Sequence, residues 1–271
     1  MLVSDWIVCG FFAYLIALAW MFTLSGRRRV RVLLVGLVCV GLVGMLSQLR
    51  LQLPMRVARD WVPALYLLQG YWLCGLFFAR PMLGLEEGLL RVDRRLFAVA
   101  RLAALVRAAP RALLELLELA YLCAYPFILA TFGFVYASGQ RAEADRFWTA
   151  VLLASFGCYG MLPWLQTRPP RLIEPAGPID QRPLVSRRLN IAVLDWGSIR
   201  VNTLPSGHAA TALAATLVAG ELLPGLLPIL VAITLAITLA TVVGRYHYTL
   251  DTVLGLAVGV GGWWAAGVLV P

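Results

Sequence analysis

A chain of 271 residues that is 61% hydrophobic and 14% charged, with a mean hydropathy of +0.82, is too apolar for an ordinary soluble globule and reads as a membrane protein. Its net charge of +9 is carried by arginine, since no lysine occurs. The arginines fall in short strips between apolar runs, not on one water-facing surface, which argues against a nucleic-acid partner. Cys9, Cys39, Cys74, Cys123 and Cys158 lie in or beside apolar runs without paired spacing, so they read as small core hydrophobes and not as a disulfide or metal framework.

Apolar stretches long enough to cross about 30 Å of hydrocarbon are predicted near 5–24, 31–49, 61–79, 113–137, 147–165, 207–223, 226–243 and 249–270. The first has no basic region before it and reads as a retained span, not a cleaved signal. Residues 86–111 differ: Arg91, Arg94, Arg95, Arg101, Arg107 and Arg111 interrupt Leu, Val and Ala at helical spacing, which predicts one amphipathic helix along the membrane surface. Residues 167–206, with Pro169, Pro170, Pro175, Pro178 and Pro183 among Arg, Asp and Asn, are expected as a polar loop or folded-back lid. Pro224-Gly225 is a tight turn between two spans. The expected organisation is an all-α polytopic fold, with 1–60 as an extra N-terminal helix pair and 61–271 as the membrane domain that carries the chemistry.

One crossing per span brings both ends of the 167–206 loop and the end of the seventh span to the same side. The chain's two histidines, His208 and His247, then share a membrane face with Asp251. The strips 27–31 and 80–111 open on that side with eleven arginines, so the positive-inside rule puts this face in the cytoplasm of a multi-pass cell-membrane protein.

The first polar cluster runs Asn202, Thr203, Leu204, Pro205, Ser206, Gly207, His208 and then into a small-residue helix. Ser206 is suited to cap that helix, Gly207 permits close approach of a ligand to backbone N–H groups, and a helix start of this kind binds anions. The second cluster is Gly244-Arg245-Tyr246-His247-Tyr248-Thr249-Leu250-Asp251. In a helix His247 and Asp251 share a face, so the carboxylate orients one ring nitrogen and frees the other to attack phosphorus. Asp251 is also the only acidic residue after Glu221, and a carboxylate heading an apolar helix usually marks function.

The PSGH of 205–208 and the HYTLD of 247–251 closely resemble two of three signatures of the phosphatidic acid phosphatase type 2 (PAP2) superfamily of membrane lipid phosphatases and phosphotransferases. The resemblance covers roughly 145–270, with 61–137 supplying the first two helices of a six-helix core. It implies that His247 is a nucleophile forming a phosphohistidine, Asp251 its orienting partner and His208 the acid for the leaving alcohol. Arg168 and Pro169 resemble the end of the first signature, with Met161 where that signature has lysine; Thr241 stands where the third has arginine. Arg168, Arg171, Arg200 and Arg245 are then the candidate phosphate ligands, with Ser206 and Gly207. No carboxylate cluster accompanies the histidines, which favours metal-free covalent transfer without a cofactor. The expected substrate is an anionic phospholipid or an isoprenyl phosphate. The HYT-x-D wording also resembles the inositol-phosphoceramide and sphingomyelin synthase branch, which implies transfer to a lipid hydroxyl; a non-enzymatic lipid transporter or scaffold is the third reading.

Tryptophans such as Trp6, Trp61, Trp263 and Trp264 fit interface anchors. Gly255, Gly259, Gly261 and Gly262 are expected to let the last span pack closely on its neighbours.

Overall fold

The computed structural model describes residues 1–49, 53–99, 101–174, 179–199 and 201–270. The chain begins with an apolar hairpin of α1 (Val3–Met21) and α2 (Gly26–Gln48), followed by α3 (Leu53–Trp61) and α4 (Pro63–Gly75). Next come α5 (Leu83–Val99) and α6 (Leu102–Ala108), then α7 (Arg111–Leu122), α8 (Ala124–Ala137) and α9 (Ala144–Met161). The single turn α10 (Pro170–Ile173) and α11 (Val185–Gly197) precede the last three helices, α12 (Gly207–Leu222), α13 (Leu227–Val243) and α14 (Thr249–Leu269). The fold is all-α and polytopic, and the boundary expected at residue 60 falls at the last turn of α3.

Small side chains decide what sits in the middle. Ala209, Ala210, Ala212, Ala214, Ala215 and Ala219 of α12 are buried, and α8, α9, α13 and α14 all pack on that helix. α14 approaches closely because a Cβ at Gly255 would lie 2.4 Å from the Ser206 carbonyl oxygen, and one at Gly259 2.6 Å from that of Ala210. Gly262 does the same toward α9, at 2.9 Å from the Ala150 oxygen, whereas Gly261 faces open space. This is backbone-to-backbone packing of the kind small residues allow between membrane helices.

Four helices, α1, α2, α13 with its preceding turn (Pro224–Val243) and α14, are long and apolar enough to cross a membrane, and the bent α7–α8 pair makes a fifth if it is one span. Eight were expected. The 61–79 stretch is broken into helix only over the 13 residues of α4, and α12 has 16 residues. At 1.5 Å per residue these reach only ~20–24 Å. α9 carries Asp145 and Arg146 in its first turn and, like α12, is enclosed by other helices. The 113–137 stretch bends by 68° at Cys123 because Pro126, in the first turn of α8, has no N–H to offer the Leu122 carbonyl.

Two further expectations change. The surface helix of 86–111 is two helices, since Arg101 takes φ +49 and stops α5 from continuing into α6. The loop 167–206 contains α11, whose inner face (Ser186, Arg187, Asn190) is buried against α7 while Trp196 is 91% exposed. Cys39, Cys74 and Cys158 are core residues as their surroundings suggested, but Cys123, at the α7–α8 bend, is exposed.

Candidate active site

The turn between α13 and α14 is built by one carbonyl. Thr241 O accepts from both Tyr246 N (2.9 Å) and His247 N (3.0 Å), folding the chain back over the end of α13. Arg245 sits at φ +59, a left-handed conformation that glycine usually supplies after a helix and that costs other residues about 1–2 kcal/mol. α14 then starts at Thr249, whose N–H donates to Asp93 Oδ1 of α5 at 2.9 Å, while Asp251 Oδ2 accepts from Tyr248 N at 3.2 Å. His247 therefore lies before the helix and not on it, because the capping of α14 begins one residue later.

The expected pair still meets. His247 Nδ1 stands 3.7 Å from Asp251 Oδ2, and the ring lies against the Thr203 backbone. Asp251 is fully buried, and its Oδ2 accepts from Asn202 Nδ2 at 2.6 Å. Ser206 N donates to the Asp251 carbonyl at 2.9 Å, so the two motif loops are stitched together through Asp251. The His208 and His247 ring centroids are 5.6 Å apart. Burial, with nothing nearby that favours a cation strongly enough, lowers the His247 imidazole to about 3, so it is neutral at neutral pH.

Buried polar atoms without a partner concentrate here. Among the described residues they include His247 Nδ1, Asp251 Oδ1, Asn202 Oδ1, Thr249 Oγ1 and Arg171 Nε. Polar groups gathered this closely are available to a ligand or to water. His208, His247 and Arg171 line one cavity with Tyr71, Tyr121, Thr203 and Tyr246; at about 20 Å³ it holds roughly one water, so a phosphate needs it to open. A larger cavity of about 170 Å³ reaches His247 from the α5–α6 side, with apolar walls including Leu90, Phe97, Val106 and Val243 and with Arg94 and Arg245 at its edge.

The other predicted phosphate ligands are placed differently. Arg168 is engaged by Glu86 of α5: its N–H donates to Oε1 (2.7 Å) and its guanidinium to both carboxylate oxygens (3.1 and 2.8 Å). Arg245 donates to the Glu174 carboxylate at 2.7 Å and to its carbonyl at 2.9 Å. Arg200 lies outside the described residues. Ser206 caps α12, its hydroxyl accepting from Ala209 N at 3.5 Å, and Gly207 makes room for the Tyr159 ring, 2.8 Å from where its Cβ would be. Met161 is exposed, and the Thr241 hydroxyl bonds to that of Thr252.

Sequence reasoning passed over the residues that hold this arrangement. Glu86 and Asp93 are 3% and 4% exposed, a helical two turns apart on α5, and reach the two motif arms through Arg168 and Thr249. Tyr248 completes the link by donating from its hydroxyl to the Arg168 carbonyl at 2.9 Å. Two acids seven apart inside an arginine-rich helix were the available signal.

The described residues contain no group of three or more His, Cys, Asp or Glu side chains placed to hold a metal ion. A family profile described as the PAP2 superfamily matches residues 87–265. No curated protein and no solved structure matches the chain.

Proposed function

This chain belongs to the PAP2 superfamily, whose membership supports a phosphatase-like function on lipid phosphates, and from that premise we propose that it hydrolyses a membrane lipid phosphate or diphosphate through a phosphohistidine on His247. The observation that carries the reading is the convergence of His208, His247, Asp251 and Arg171, whose Nε has no hydrogen-bond partner, at one end of the bundle.

Nδ1 faces Asp251, so in the reacting tautomer the ring proton is on Nδ1 toward that carboxylate and Nε2 keeps the lone pair that attacks phosphorus. Attack forms the N–P bond and breaks the P–O bond to the lipid alcohol. His208, whose pKa burial beside His247 keeps well below its ordinary value so that the ring is neutral, takes the acidic proton of the entering phosphate monoanion and gives it to that departing oxygen. Now neutral, it takes a proton from water, the water oxygen attacks phosphorus, and the N–P bond breaks to free phosphate and restore His247. Asp251 stabilises the positive charge that the His247 ring carries while bonded to phosphorus. Arg171 neutralises the phosphoryl oxygens.

An anionic phospholipid or isoprenyl phosphate fits a site at the end of apolar helices, where the phosphate sits at the interface and the chains remain in hydrocarbon. One observation favours a second reading, transfer of the phosphoryl headgroup to a lipid hydroxyl: the 170 Å³ apolar-walled cavity gives an acceptor a separate approach to His247. The water route ranks first because the site opens beside the polar 167–206 segment.

Purified protein treated with chelator and given labelled lipid phosphates, with and without ceramide, diacylglycerol or a lipid-linked alcohol, tests both. Chelator-resistant phosphate release indifferent to acceptor supports hydrolysis, and an acceptor-dependent lipid product without free phosphate supports transfer. His208→Ala is expected to lose about 10²–10⁴-fold of either activity. Unchanged activity in His208→Ala and His247→Ala, with lipid still bound, would instead indicate a transporter or scaffold.

A further inference from the structure

Behind the catalytic turn lies a buried polar network that the steps above do not use. Glu118 of α7 is 2% exposed, and its carboxylate accepts from Arg187 NH1 (2.8 Å), Asn190 Nδ2 (2.7 Å) and the Tyr246 hydroxyl. Arg187 NH1 also donates to the Gly244 carbonyl at 3.3 Å, and its guanidinium carbon lies 5.7 Å from the Tyr246 ring centroid. Helices α7 and α11 thus hold the backbone at one end of the turn and the phenol in its middle.

Tyr246 connects the two histidines. It precedes His247 in the chain, and its ring stacks on Tyr121 with centroids 3.7 Å apart and planes within 9°. Tyr121 in turn stacks on His208 at 4.9 Å. A displacement of Tyr246 therefore moves one imidazole through the backbone and the other through a ring stack.

Burying a carboxylate with a guanidinium has a desolvation cost that their attraction often fails to recover, so apolar residues would join α7 to α11 at least as firmly. What a fully bonded buried network adds is a unique arrangement. The geometry points to Glu118 as a positioning residue that, by fixing Tyr246, sets the 5.6 Å spacing of the His208 and His247 rings. Its consequence for rate rests on the phosphohistidine reading; its consequence for structure does not.

The chain's two histidines make the test direct. Protein labelled with ¹⁵N-histidine in detergent gives signals from two imidazoles, assigned by their loss in His208→Gln and His247→Gln. Tyr246→Phe keeps the ring stack and removes only the hydroxyl bonded to Glu118, while Glu118→Gln keeps the volume. Both are expected to move both imidazole signals, with the double variant moving them no further. Since misplacing a reacting group by about 1 Å costs on the order of a hundredfold, kcat on a lipid phosphate should fall at least about tenfold with KM within about twofold. Glu115→Gln is the control, because Glu115 also joins α7 to α11, through Val185 N and Ser186 N, without touching Tyr246. It should leave signals and kcat unchanged. Unmoved imidazole signals in Tyr246→Phe, or equal movement in Glu115→Gln, would overturn the proposal. Wild-type protein that turns over no lipid phosphate would defeat the functional reading, while the spectra would still decide the positioning role.

Discussion

Arg171 and Arg168 have the same charge and stand three residues apart, yet they are expected to fail in different ways. Arg171 borders the cavity with both histidines and has an unpaired Nε, so Arg171→Ala should raise KM for a lipid phosphate by about 10–100-fold, the worth of a charge-assisted hydrogen bond. Arg168→Ala instead strips the buried Glu86 carboxylate of its guanidinium, and a thermal melt in detergent should show on the order of 1–3 kcal/mol of lost stability. The reverse pattern would exchange their roles. His247 makes a separate prediction about pH. The unfolded chain takes up a proton at this ring near 6.5 and the folded protein only near about 3, so the stability it contributes is complete above 6.5 and is lost as pH falls through that window. Melts of wild type from pH 7 to pH 4 should decline more steeply than those of His247→Gln; parallel declines would refute the burial argument. The three residues legible in the sequence, His208, His247 and Asp251, were legible because they are scarce there and short-range spacing ties two of them together. Glu86, Asp93 and Glu118 act across long sequence separations, and nothing local distinguishes them from other helical acids.

At the scale of elements, the last helix depends on three glycines and tolerates change elsewhere. A methyl at Gly255 would meet the Ser206 carbonyl at 2.4 Å, so α12 must shift, and Gly255→Ala is expected to cost about 1–3 kcal/mol and to reduce activity by disturbing the first turn of α12, which carries His208. Gly41 in α2 has open space around it, and Gly41→Ala should leave stability equal or raised by roughly 0.4–1 kcal/mol. Equal melts for the two variants would deny the close α12–α14 contact. Composition revealed that contact, since glycines at a helical spacing in an apolar run have few other uses. It did not reveal the α5–α6 break, which depends on one backbone dihedral at Arg101, nor α11, whose apolar outer face and polar inner face were hidden among prolines. Both elements depend on partners distant in sequence. α5 clasps Arg168 and Thr249, and α11 docks on α7 through Glu115 and Glu118.

For the whole molecule, the two ends of the bundle are chemically distinct. At one, Gln166 bonds to the backbone of Ala79, Arg80 and Met82, Arg28 bonds to Leu76 and Phe78, and the histidines lie beside them. At the other, Asp145 caps α1 through Val3 N and Ser4 N, and Asp60 accepts from Tyr136 and Arg141. Single cysteines at Ser25 and Arg80, in a background with the five native cysteines replaced, should react with an impermeant thiol reagent from the same side of a vesicle, and one at Gly139 from the opposite side. Reaction of all three from one side would break the topology. Hydropathy alone does not separate helices that face lipid from helices enclosed by others, and α12 and α9 are apolar on faces covered by their helix neighbours. Covalent phosphoryl transfer to His247 is tested by mixing the protein with a lipid phosphate labelled in its phosphoryl group, quenching in milliseconds to seconds and mapping the labelled residue. The expected product is an acid-labile, base-stable phosphohistidine at His247 that is absent in His247→Ala. Steady turnover by His247→Ala, or label on any other residue, would contradict it.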